Sequence, residues 1–114
     1  MSSTAQVSMA IHADLKVKFN EYLENNELEE LVESADNEII DYHLFCNWES
    51  LNLSRFEELE EFFNKQDSDL YFIQLYGEYG YETQGEWIDN PFKMSVSLTW
   101  GNPRRSYNDT QTGE

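Results

Sequence analysis

The sequence predicts an α+β fold: a two-layer sandwich of a four-stranded mixed or antiparallel sheet with two helices on one face, in the order β-α-β-α-β-β. Three observations carry this. Apolar and polar residues alternate over residues 7–19, 40–48 and 92–100, the period of a half-buried strand. Between these stretches the apolar spacing lengthens to three and four, the period of a helix face. The chain has 114 residues, 39% hydrophobic and 15% aromatic, which is enough for one core and one domain over 7–101.

The first strand is drawn by Val7, Met9, Ile11, Ala13, Leu15, Val17 and Phe19, after a disordered start at 1–6. A period of two is not a helical period. So long a strand is expected to bend near residues 12–14. Asn20 is then a candidate N-cap, with Glu21 and Glu24 at the positive end of a helix dipole. Leu28, Leu31, Val32 and Ala35 form the apolar stripe. The Asn25-Asn26 pair is a possible break, with Asn26 and Glu29 as a second capping pair. Ile40, Tyr42, Leu44, Cys46 and Trp48 mark the second strand, and a polar break follows at 49–52. Ser54 and Glu57 have capping-box spacing. Phe56, Leu59, Phe62 and Phe63 line one side of the helix they open. Residues 70–76 form an aromatic-rich third strand, and the three glycines of 77–90 make a long turn or hairpin tip. Pro91 opens the fourth strand, where Phe92, Met94, Val96, Leu98 and Trp100 alternate with polar residues. Residues 102–114 read as a disordered tail.

Charge is the strongest functional signal. Twenty-three acidic residues face seven basic ones, a formal charge of −16. Between Glu21 and Asp69 there are sixteen acids and two bases, Arg55 and Lys65. Such a surface repels nucleic acid and anionic membranes, so direct binding to either is excluded. No apolar run reaches the ~20 residues of a membrane span, and the start has no secretory pattern. Cys46, the only cysteine, lies in an apolar run and reads as a small buried hydrophobe. A lone cysteine points to a reducing, cytoplasmic location.

Catalytic patterns are thin, and the chain does not read as an enzyme. His12 and His43 have no carboxylate or thiol at metal-ligand spacing and read as surface or lightly buried histidines. Asp67-Ser68-Asp69 starts like a calcium loop, but its later ligands would fall in a strand. The glycines lack the Lys-Ser/Thr pair of a phosphate-binding loop. No cofactor is expected, and chelators are expected to change nothing.

The candidate partner-binding residues are acidic and aromatic. Glu57, Glu58, Glu60 and Glu61 crowd one helix at a rise of ~1.5 Å per residue. Glu27, Glu29, Glu30, Glu33 and Asp36 are expected on the other helix. Duplex DNA carries one charge per ~1.7 Å, a comparable density. Lysines at i+4, which a helix built for stability would interleave, are nearly absent. Tyr76, Tyr79, Tyr81 and Trp87 lie in or beside the long loop among Glu78, Glu82, Glu86 and Asp89, as anchors of a second patch or as closure of the core.

In size, charge and acidic helices the chain resembles small phage-encoded anti-restriction and anti-CRISPR proteins that mimic DNA. That resemblance implies a stoichiometric inhibitor of a basic nucleic-acid-binding protein or nuclease. It is one of general character, so no residue roles come with it. Two other readings fit the composition: an immunity protein or antitoxin for one basic toxin, and an adaptor domain of a larger assembly. The partner's identity and the oligomeric state are not written in the sequence.

Overall fold

In the computed structural model, which describes residues 3–78, 80–92 and 94, the chain runs β1 (Thr4–Ile11), α1 (Ala13–Asn25), α2 (Glu29–Glu33), β2 (Asp36–Ile40), β3 (His43–Asn52), α3 (Leu53–Phe63), β4 (Tyr71–Gly77) and β5 (Gly80–Gly85). The α+β class holds, with one strand and one helix more than expected. The sheet has the order β2-β3-β1-β4-β5, and every neighbouring pair is antiparallel. β1 is central and starts at Thr4, so residues 4–6 belong to the sheet rather than to a disordered start.

The alternation of residues 7–19 divides between two elements. Val7, Met9 and Ile11 are fully buried on the helix-facing side of β1. From Ala13 the chain is helical, and Leu15, Phe19 and Leu23 form its buried stripe. Leu15 and Phe19 satisfy a period of two and a period of four at once. Val17, which only a strand would bury, is 68% exposed. His12 makes the switch. Its φ of −62° and ψ of 147° are extended, and its Nδ1 accepts from the Asp14 N–H at 3.0 Å. Histidine thus does the N-cap work usually done by Ser, Thr, Asp or Asn.

Asn26 is the C-cap of α1, so the Asn25-Asn26 break is real, but Asn26 does not cap the next helix. Leu28 holds that place without a side-chain bond. The expected strand at 40–48 is a hairpin: β2 and β3 join through Asp41 and Tyr42, both at positive φ (52° and 70°). That is the turn whose twist suits a two-residue hairpin, made here without glycine. β3 runs on through the expected polar break to Asn52. Asn52 Oδ1 accepts from Ser54 N at 2.9 Å, so Asn52 and not Ser54 caps α3. β4 and β5 form the hairpin expected after residue 76, with Gly77 paired to Gly80. Pro91, Phe92 and Met94 belong to no strand. Residues 95–100 of the expected fourth strand, and the tail 102–114, lie outside the described residues.

The core lies between one sheet face and the helices. Phe56, Leu59, Phe62 and Phe63 of α3 are buried as the stripe required, and so is Leu28. Leu31, Val32 and Ala35 pack against the core while partly exposed. Phe19 stands 5.4 Å from Phe62 and 5.5 Å from Phe63, ring centre to ring centre, which joins α1 to α3. The Tyr22 hydroxyl donates to the Glu58 carbonyl across the same seam. The Trp48 indole N–H donates to the Leu31 carbonyl at 3.0 Å and holds α2 over the β2–β3 side. Cys46 is fully buried, and burial pushes its thiol up to about 12, as expected of a packing residue.

Candidate functional site

The acidic residues fall in two places. α3 carries Glu57 and Glu61, exposed, and Glu58 and Glu60, half-buried. All four lie on one helix as expected, because Phe56, Leu59, Phe62 and Phe63 take the inward positions. The one basic residue on α3, Arg55, is already committed, with Nη1 2.7 Å from Glu58 Oε2. The expected five-acid helix is not formed. α2 spans only five residues and carries Glu29, Glu30 and Glu33, all exposed. Glu27 sits before it at φ 57°, and Asp36 starts β2. The left-handed Glu27 ends α1, with the Leu28 N–H donating back to the Leu23 carbonyl at 2.8 Å, and Leu28 itself is buried between the two helices. α2 lies over the β2–β3 side and α3 over the β4–β5 side, so their acids form two patches rather than one strip.

α3 and the β4–β5 hairpin enclose a cleft of about 230 Å³. Leu53, Phe56, Leu75 and Ala5 make its apolar lining, with Gly77 and Gly80 at the hairpin end. Four carboxylates surround it: Glu57 and Glu60 from the helix, Glu78 and Glu82 from the hairpin. Gln84 on β5 donates its amide to Glu60 Oε2, which ties the helix acid to the sheet. Glu78 and Glu82 entered the sequence reading only as neighbours of aromatic residues. No periodicity marks a cleft whose two walls are some twenty residues apart in the chain.

The expected aromatic patch is divided. Tyr81 is 46% exposed on β5 and lies 6.3 Å from Tyr76 across the hairpin. Tyr79 lies outside the described residues. Trp87 is at the other end of the sheet, where its N–H donates to the Tyr71 carbonyl at 3.1 Å. Its ring stands 5.0 Å from His12 and 4.7 Å from His43, and the two imidazoles are 4.5 Å apart. Trp87 is half-buried, and its ring neighbours are these two histidines.

The histidines hold the start of α1. His43 Nδ1 accepts from Ala13 N at 2.8 Å, beside the bond from Asp14 N to His12 Nδ1. Both bonds need an unprotonated Nδ1. The Asp14 carboxylate, 3.7 Å from the same His12 nitrogen, makes an ion pair only once that ring is charged. Burial, and then the neighbouring His12, lower the pKa of His43 below its ordinary 6.5, while Asp41 and Asp14 pull it back up. A lowered histidine pKa means that the unfolded chain takes up the proton first. The His43 contribution is therefore complete above about pH 6.5 and declines as pH falls below it. His43→Asn keeps an acceptor that cannot titrate. The stability difference between wild type and this variant, from urea melts at pH 7.5 and 5.0, should shift toward the variant at the lower pH. A difference independent of pH would refute the assignment.

Among the described residues no three His, Cys, Asp or Glu side chains gather as a metal-ligand set. The calcium-like start is occupied otherwise: Asp67 Oδ1 accepts from Asp69 N at 3.0 Å and caps a single 3₁₀ turn. No described helix is long and apolar enough to cross a membrane. No family model, no curated protein and no solved structure matches the chain.

Proposed function

We propose that this chain is an acidic stoichiometric inhibitor rather than an enzyme, binding the basic nucleic-acid-binding surface of a target protein in the cytoplasm, in the manner of a DNA mimic. The observation that carries the proposal is the α3 patch. α3 carries four glutamates, Glu57 and Glu61 exposed and Glu58 and Glu60 half-buried, two more stand on the facing hairpin, and the one arginine of the helix is paired with Glu58. Aligned carboxylates at this spacing present to a partner what a phosphate backbone presents, and opposite charge steers the encounter.

The test uses the full chain, immobilised, with basic nucleic-acid-binding proteins of the native host as analytes. Binding should be competed by duplex DNA of unrelated sequence. Raising the salt should slow association more than it speeds dissociation, because the Debye length is ~8 Å at physiological ionic strength. Reversing Glu57, Glu58, Glu60 and Glu61 to Lys should slow association by about 10- to 1000-fold. The variant should still unfold cooperatively, because none of the four belongs to the buried stripe, although it loses the Arg55–Glu58 pair and the Gln84–Glu60 hydrogen bond. If binding survives both the reversals and excess DNA but is lost in Tyr81→Ala or Trp87→Ala, mimicry fails. An immunity-type inhibitor is then the better account.

A further inference from the structure

We infer that the cleft between α3 and the β4–β5 hairpin is a socket for a single arginine side chain of the partner. This rests on the reading of the chain as a binder of basic proteins, and adds which group it grips. The argument starts from the lining rather than from the charge. A purely electrostatic surface needs no concavity, yet this one encloses about 230 Å³ with Leu53, Phe56, Leu75 and Ala5 on its walls. Apolar walls under a charged rim suit a side chain that is apolar along its stem and cationic at its tip. Lysine and arginine are the two side chains of that kind.

Arginine is favoured by the layout of the rim. Glu57 and Glu60 come from one wall, and Glu78 and Glu82 from the other. A planar guanidinium has five donors in a fixed fork and can serve carboxylates on two sides at once. An ammonium is a more strongly hydrated point charge with three donors. Among the described residues no basic side chain lines the cleft.

The experiment is an NMR titration of the full chain with the Nα-acetyl amides of arginine, lysine and citrulline. Citrulline keeps the shape of arginine without its charge. The arginine compound should shift the backbone amides of Gly77, Gly80 and Glu82 saturably, more tightly than the lysine compound, and citrulline should not shift them. Glu57→Gln and Glu82→Gln should each weaken the arginine response about twofold to fivefold, the range of a solvent-accessible ion pair. The amides of Glu29, Glu30 and Glu33 serve as the internal control. If they respond with the same midpoint, or if citrulline matches arginine, the socket does not exist. An arginine response at the cleft in a chain that captures no nucleic-acid-binding protein keeps the socket and discards the inhibitor reading. Capture without a cleft response does the reverse.

Discussion

Gly85→Ala should cost more than about 3 kcal/mol, the upper end of what a strained backbone position alone accounts for. Two effects add at this residue. Its φ is +86°, a region L side chains rarely adopt. A Cβ there would also stand 2.2 Å from the Tyr71 carbonyl oxygen and 2.8 Å from its carbon. That carbonyl accepts the Trp87 N–H, so yielding to the new methyl would break the bond that seats Trp87 on the histidines. Gly80 provides the comparison, with φ +103° and open space around it. Gly80→Ala should show the strain alone, about 1–3 kcal/mol. Urea melts of the two variants check this, and equal losses would show that the Tyr71 contact is not rigid.

Phe63→Ala should cost about 3–5 kcal/mol, the range for a fully buried aromatic replaced by a methyl group. Phe63 has no exposed surface, and its ring stands 5.5 Å from Phe19, 5.1 Å from Phe62 and 5.0 Å from Tyr71. It therefore joins α3, α1 and the sheet at one point. Val17→Ala should cost less than about 0.5 kcal/mol, since the side chain is 68% exposed. The pair tests the assignment of α1. Had residues 13–19 continued as a strand, Val17 would share the buried face with Phe19, and its loss would be felt.

The α3 stripe was legible because burial and periodicity agree there. Phe56, Leu59, Phe62 and Phe63 fit a helix and do not fit a strand. Residues 13–19 mislead because Leu15 and Phe19 fit both periods, and the deciding cap is His12, which accepts from Asp14 N in place of the usual Ser, Thr, Asp or Asn. The β2–β3 hairpin escaped notice because its turn is Asp41-Tyr42, where glycine or asparagine would have announced the positive φ values. The acids of α3 could be named from the sequence because a helix fixes their neighbours. The cleft could not, since Glu57 meets Glu82 only after the hairpin folds back beside α3. Trp87 is near Tyr81 in the chain, but β5 runs from the Tyr76 end of β4 to the Phe72 end and leaves Trp87 at the opposite end of the sheet.

The position of β1 has a consequence for how the chain is made. β1, the centre of the sheet, precedes both of its partners in the chain, residues 44–52 on one side and 71–77 on the other. Val7, Met9 and Ile11 therefore wait for Trp48, Cys46 and Leu44 on one side, and for Leu75, Ile73 and Tyr71 on the other. Non-local pairing of this kind is slow, because a long loop must close before any bond rewards it. During that interval the apolar edge would invite pairing between nascent chains. The acidic residues of 21–69 follow β1 in the chain, and their like charge would oppose such pairing.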